Sequence, residues 1–248
     1  MSAGREWRVR RFDEIDSTNR FLLDEARAGA AGGLVAVADH QSAGRGRFDR
    51  RWESPPGASL LVSVLLRPTQ EGEHSHRAVM ATAVALAEAV EEVAGFAPDV
   101  KWPNDLVVGD RKLAGVLAER EGDALVIGVG CNVHWESFPP GLAAIATACN
   151  LEAGRAVDRD RLLDAFLTRL ASELAALDLV PARYRARLTT LGRRVRVERA
   201  HDAFEGDAVD VTDDGVLIVR GGDGARVAVT AADVVHLRDS ITGRGRAQ

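Results

Sequence analysis

Apolar residues recur with a helical period in three stretches of this 248-residue chain, and as alternating or solid apolar runs in most of the others. Asp16-Ser17-Thr18-Asn19 stands before RFLLDEARAG, which predicts a polar N-cap, a helix and a stop at Gly29. A second helix is predicted over 75–94, where Val79, Met80, Ala83, Val84, Ala87 and Val90 form one stripe ahead of Gly95. A third covers 161–177, with Leu162, Leu163, Phe166, Leu167, Leu170 and Leu174 toward the core. The run 33–39 (GLVAVAD) predicts a strand. The run 59–66 (SLLVSVLL) is apolar on both faces and predicts a central one. Three strands then follow as a meander over 105–108, 112–119 and 124–133, turning at Gly109-Asp110 and Glu121-Gly122-Asp123.

From about Leu191 the pattern shortens. RVRVER, AVDV, GVLIV and RVAVT alternate with Gly/Asp turns, the texture of a small separate β-barrel. The expected division is a larger domain over 1–190, a β module over 191–240 and a disordered tail over 241–248. No internal repeat stands out.

Hydrophobic content of 46% and charged content of 28% fit a soluble globular protein. No apolar run approaches the ~20 residues of a membrane span. The N-terminal MSAGREWRVRRFDE lacks the apolar centre of a signal peptide. Cys131 and Cys149 are the only cysteines, too few for a disulfide framework, so a reducing cytoplasm is the default. A net charge of -5 does not fit a strongly basic nucleic-acid binder. Of the 32 Lys and Arg residues only Lys101 and Lys112 are lysines. Ammonium is a compact point charge and guanidinium a wide planar fork. A tight site beside a reacting carboxylate or phosphate admits the first and rejects the second; chance survival under a bias toward Arg is the alternative.

Five stretches carry candidate chemistry. HQSAGRGRFDRRWES (40–54) packs Arg45, Arg47, Arg50 and Arg51 among Gly44 and Gly46 and reaches Trp52. Its arginines can fork onto phosphate or carboxylate oxygens, and Trp52 offers a flat face to a purine or an Arg. The competing reading is a solvated basic loop, and a second GRGR at 243–246 shows how little the tetrapeptide proves. KWPNDLVV places Lys101, Asn104 and Asp105 around a proline-stiffened turn, a set suited to a nucleotide phosphate and its Mg²⁺, or to an ordinary Asn-Asp turn. DRKLAG puts Lys112 at a strand start, as a held cation or a surface lysine. IGVGCN gives one strand face to Gly128, Gly130 and Asn132. A flat ligand or a packed helix suits that face, whereas a dinucleotide fingerprint fails for want of its third glycine. In DSTN, Ser17 and Thr18 can cap a helix or meet a ligand. No phosphate-binding GxxxxGK[ST] occurs, the six histidines show no zinc spacing, and neither cysteine has a nucleophile's partners.

Taken in order, DSTN (16–19), HQSAGRGRFDRRW (40–52), KWPNDLVV (101–108), DRKLAG (110–115) and IGVGCN (127–132) resemble the biotin protein ligase family, and GVLIV…VTAADVVHLR (215–238) resembles its terminal SH3-like barrel. The resemblance covers nearly the whole chain; each motif is weak alone, and five in register are specific. It implies an α/β (α+β) catalytic domain related to class II aminoacyl-tRNA synthetases, with a mixed, largely antiparallel sheet. It implies an ATP-dependent ligase that makes biotinyl-5′-AMP from biotin and ATP with Mg²⁺. Biotin then passes to a lysine of a biotin carboxyl carrier protein. By resemblance, Arg45, Arg47, Lys101 and Lys112 would be catalytic. Ser17, Thr18, Asn19, Gln41, Gly44, Gly46, Gly115 and Gly128, with Arg45, Arg47 and Lys112, would bind biotin. Arg47, Arg50, Trp52, Lys101, Asn104, Asp105 and Asn132 would bind the nucleotide, Trp52 over the adenine, and Asp105 would meet Mg²⁺.

The chain departs from the family at Asp49, where glycine is common, and at Asp110, which replaces the glycine of GRKLAG. Only 15 residues precede DSTN, fewer than the helix-turn-helix domain of repressor members needs, so a single-function ligase is expected, without nucleic-acid or membrane partners. Its state is left between monomer and weak homodimer. Rivals are a lipoate or octanoate ligase or transferase of the same fold, and a non-catalytic biotin-responsive regulator.

Overall fold

The computed structural model describes residues 6–48, 50–68, 73–199, 202–230 and 232–237. Asp49 and the expected tail, with its second GRGR, lie outside them. The chain opens with β1 (Arg8–Ile15), α1 (Thr18–Arg27), β2 (Leu34–Gln41), β3 (Ser59–Leu66) and α2 (Glu73–Ala94). Then come β4 (Asp99–Lys101), β5 (Asp105–Val108), β6 (Arg111–Glu121) and β7 (Ala124–Asn132). Four helices follow: α3 (Pro140–Ala143), α4 (Cys149–Ala153), α5 (Arg159–Ala175) and α6 (Val180–Arg187). The C-terminal strands are β8 (Arg194–Glu198), β9 (Ala203–Val211), β10 (Leu217–Arg220), β11 (Arg226–Val229) and β12 (Asp233–His236).

Among the described residues the first seven strands form one sheet in the order β1-β2-β3-β7-β6-β5-β4. Only β1 and β2 run parallel, joined through α1 as a parallel pair requires; all other neighbours are antiparallel. β3 is central, and all eight of its residues are buried, as its solid apolar run predicts. β1 was not expected. RVRRFDEI is largely exposed and charged, which hides a strand from a hydrophobic pattern and suits a sheet edge.

The two faces of the sheet differ. Val35 and Val37 of β2, Leu60, Val62 and Val64 of β3, and Ile127, Val129 and Cys131 of β7 join the large core with α2 and α5. Leu34, Ala36, Leu65, Ala124 and Val126 face the other way and seat Leu22, Leu23 and Ala26 of α1. Leu22 is fully buried, and truncating such a leucine costs ~2–5 kcal/mol. Because α1 covers only part of this second face, the remainder is open for a site.

The expected barrel module is a five-stranded antiparallel sheet, ordered β11-β10-β9-β8-β12. Its valines (Val195, Val197, Val211, Val219, Val234) belong to the same apolar cluster as α2 and Trp102. The module is fastened at KWPND. The Trp102 indole donates to Gly215 O at 2.8 Å, and the Trp102 amide donates to the buried Thr190 Oγ1 at 3.0 Å.

Candidate active site

Ser17 is the N-cap of α1, with extended backbone and its hydroxyl accepting from Arg20 N. The cap sets Ser17, Thr18 and Asn19 under the sheet, where all three are buried. Their polar groups are satisfied by one network. Thr18 N and Oγ1 both donate to Gln41 Oε1, at 2.8 and 3.0 Å. Ser63 Oγ lies 2.7 Å from Thr18 Oγ1 and 2.6 Å from Asn19 Oδ1. Asn19 Nδ2 donates to Glu119 Oε2 at 2.8 Å.

The arginine stretch closes as a tight hairpin. Trp52 N donates to Gly44 O at 3.1 Å, Arg45 bridges Arg51, and Gly46 N donates to Arg50 O at 2.6 Å. Phe48 at its tip has φ 54, a conformation rare outside glycine and concentrated at functional sites. The Arg47 guanidinium lies 4.7 Å from the Phe48 ring centroid.

The hairpin folds back over β7. The indole of Trp52 rests on Gly130, and a Cβ at Gly128 would collide with the Asn19 carboxamide. The glycine face anticipated in IGVGCN exists; Asn19 lies against Gly128 and Trp52 against Gly130, and both glycines also border the cavity.

KWPND forms the turn between β4 and β5, which sets Lys101 directly opposite Asp105. Lys112 comes from β6. In a regular strand it would point away from Gly115, three residues on. The β5–β6 register shifts, pairing Leu106 with Ala114 and Val107 with Lys112. The irregularity turns Lys112 onto the face of Gly115, where it meets Asp105 Oδ1 at 2.7 Å.

These parts surround one cavity of about 300 Å³. Of the expected residues, Ser17, Thr18, Asn19, Gln41, Arg45, Gly46, Arg47, Arg50, Trp52, Lys101, Asn104, Asp105, Lys112, Gly115 and Gly128 line it. Gly44 and Asn132 do not. Gly44 is the base of the hairpin. The Asn132 carboxamide is spent within the fold, accepting from Ser59 Oγ and donating to Thr147 O. Sequence reasoning missed Ser63, though a lone serine inside an apolar strand marks it. It also missed Asp233 and Val234 of β12, which line the cavity without any local signal. β12 brings Asp233 into an ion pair with Arg50, and the preceding Ala232 O accepts from Arg47 at 3.4 Å.

The charges are unevenly paired. Arg45 meets Glu119, Arg50 meets Asp233 and Lys112 meets Asp105. Among the described residues, Arg47 and Lys101 have no carboxylate within ion-pair distance. Burial lowers the pKa of both, with Asp233 and Asp105 opposing at Arg47, and Asp105 opposing at Lys101. Two desolvated cations without a paired anion are built to receive one. No cluster of three or more His, Cys, Asp or Glu residues that could cage a metal occurs among the described residues.

A hydrogen-bonding network at α1 and two cations without an ion-pair partner, Arg47 of the hairpin and Lys101 of KWPND, meet in one cavity, which suits a ligand with a polar head group and an anionic end. Comparison with known proteins narrows the class. Residues 12–135 match the Biotin/lipoate A/B protein ligase family, and residues 190–237 match the Biotin protein ligase C terminal domain. A biotin–[acetyl-CoA-carboxylase] ligase of Mycobacterium tuberculosis is 36% identical over 96% of this chain and 92% of its own length. Another, from Paracoccus denitrificans, is 33% identical over 88% of this chain and 96% of its own. The biotin protein ligase of Aquifex aeolicus, solved with biotin and ATP, superposes with a TM-score of 0.83 at 26% identity, covering 92% of this chain and 99% of that one. The chain belongs to the biotin/lipoate protein ligase family and carries both parts of a biotin protein ligase.

Proposed function

We propose that this chain activates biotin with ATP and attaches it to a lysine on the carrier domain of a biotin-dependent carboxylase. The observation that carries the reading is the pair of desolvated cations, Arg47 and Lys101, open to the cavity that also holds the Ser17–Thr18–Asn19–Gln41 network.

In the first step a biotin carboxylate oxygen attacks the α-phosphorus of ATP. The bond to the bridging oxygen breaks and pyrophosphate leaves. Two anions meet, so fixed cations must offset their repulsion and the charge of the transition state. Arg47, Lys101 and Lys112 supply that charge. Arg45 serves the acid. Ser17, Thr18, Gln41 and Asn19, ordered by the hydrogen bonds among them and to their neighbours, would face the ring. Trp52 and Asn104 border the nucleotide. Asp105, which pairs with Lys112 in the free chain, would hold a Mg²⁺ borne by the triphosphate through its carboxylate, and the ion would supply charge neutralisation at the phosphate oxygens; magnesium is commonly held by one or two carboxylates plus phosphates. In the second step the neutral acceptor amine attacks the acyl carbon, an amide forms and AMP leaves. The arginine hairpin would keep water from the intervening anhydride.

No described helix is long and apolar enough to cross a membrane. Both cysteines are free and buried, which supports a reducing cytoplasm as the working compartment. The reading is tested by incubating the chain with ATP, biotin and a carboxylase carrier domain. A mass gain of one biotinyl group on a single lysine supports it. An unmodified carrier, or one modified only when lipoate or octanoate replaces biotin, contradicts it.

A further inference from the structure

We infer that Glu119 positions the acid-binding end of the cavity, holding Arg45 and Asn19 from behind in the orientation that meets the substrate acid. The inference rests on the proposed biotin-activating function. Arg45 and Asn19 line the cavity and Glu119 does not. Its two oxygens divide the work: Oε1 pairs with Arg45 Nη1 at 3.0 Å, and Oε2 accepts from Asn19 Nδ2 at 2.8 Å.

Each contact fixes something a ligand would read. A carboxamide can present either end, and Glu119, with Leu117 O at 3.3 Å, commits the Asn19 amino group to β6. Asn19 Oδ1 is thereby turned to Ser63 Oγ, which also lies against Thr18 Oγ1. One carboxylate therefore fixes which end of the Asn19 carboxamide meets Ser63. At Arg45 the effect is on place. The Arg45 side chain is 42% exposed, so without a partner its long stem would be free to leave the cavity wall, whereas the Glu119 side chain is 24% exposed and sits on β6 beside β7. A carboxylate on a rigid strand behind a cation on a hairpin is a supporting contact that preorganises the cation.

The test is ATP–pyrophosphate exchange by the full chain, with biotin, lipoate and octanoate each supplied. Glu119→Gln keeps the shape and an acceptor for Asn19 but removes the charge opposite Arg45. Charge-assisted hydrogen bonds are about twice as strong as neutral ones, so KM for the acid should rise roughly fivefold to tenfold while KM for ATP moves less than about twofold. In an Arg45→Ala background the same change should alter acid KM less than about twofold, because the contact is already lost. An unchanged acid KM, an equal rise for ATP, or an undiminished effect in the Arg45→Ala background overturns the inference. If the unaltered chain exchanges with lipoate or octanoate instead of biotin, the proposed function falls, and the Glu119 inference is then judged on the KM of that acid. If no acid supports exchange, both fall.

Discussion

The Trp52 indole lies so close on Gly130 that a Cβ there would stand 2.5 Å from Trp52 Cε2. The strand thus fixes how deeply the arginine hairpin sits. Gly130→Ala should lift the indole and tilt the hairpin. An aromatic contact is worth ~0.5–1.5 kcal/mol, so KM for ATP should rise about threefold to tenfold in steady-state exchange. An unchanged KM would show that the indole does not shape the nucleotide end.

Lys112 is held between Asp105 and Gly115, with its Nζ 3.1 Å from where a Gly115 Cβ would stand. A planar guanidinium is wider than the ammonium seated there. Lys112→Arg keeps the charge and should still lose ~10²–10³-fold in kcat, the scale of one electrostatic stabiliser. A kcat equal to that of the unaltered chain would mean that the two lysines survive by chance in an arginine-rich composition.

Thr190 Oγ1 accepts from the Trp102 amide and lies 3.1 Å from His236 Nε2, with Thr190 fully buried. Thr190→Val removes both partners at once and leaves a buried N–H unsatisfied. Urea unfolding should show a loss of ~1–3 kcal/mol. A loss below the error of that measurement would mean that KWPND is not fastened through this hydroxyl.

His236 has a pKa pulled down to about 4 from the usual 6.5, chiefly by burial and further by Lys101 and Arg193. The unfolded imidazole takes a proton below about pH 6.5, and the folded one resists until about 4. Its contribution to stability is therefore complete above the higher value and is lost as pH falls toward the lower one. Between about pH 7 and pH 4.5, His236→Gln should lose less unfolding free energy than the unaltered chain. Parallel pH curves for the two proteins would contradict this.

Much of the fold was legible because burial writes itself as period: SLLVSVLL, the stripe of α2 and the β5–β6–β7 meander all appear where the pattern puts them. β1 escaped because an exposed edge strand has no apolar face to betray it. The residues of the cavity were legible as motifs but their arrangement was not. Lys112 reaches Asp105 through a register shift, and Asp233 reaches Arg50 from a module 183 residues later in the chain, a separation no local pattern reports. At Asn132 a fold-binding role and a ligand-binding role look alike in the sequence; the structure shows its amide tying β7 to β3 and to Thr147.

ATP–pyrophosphate exchange with biotin as the added acid tests the proposed activity with the fewest intervening steps. Exchange should depend on biotin and fall by roughly 10²-fold or more in Lys112→Arg, in line with the loss of one electrostatic stabiliser. Exchange that proceeds equally well without biotin, or that appears only with another acid, would contradict it.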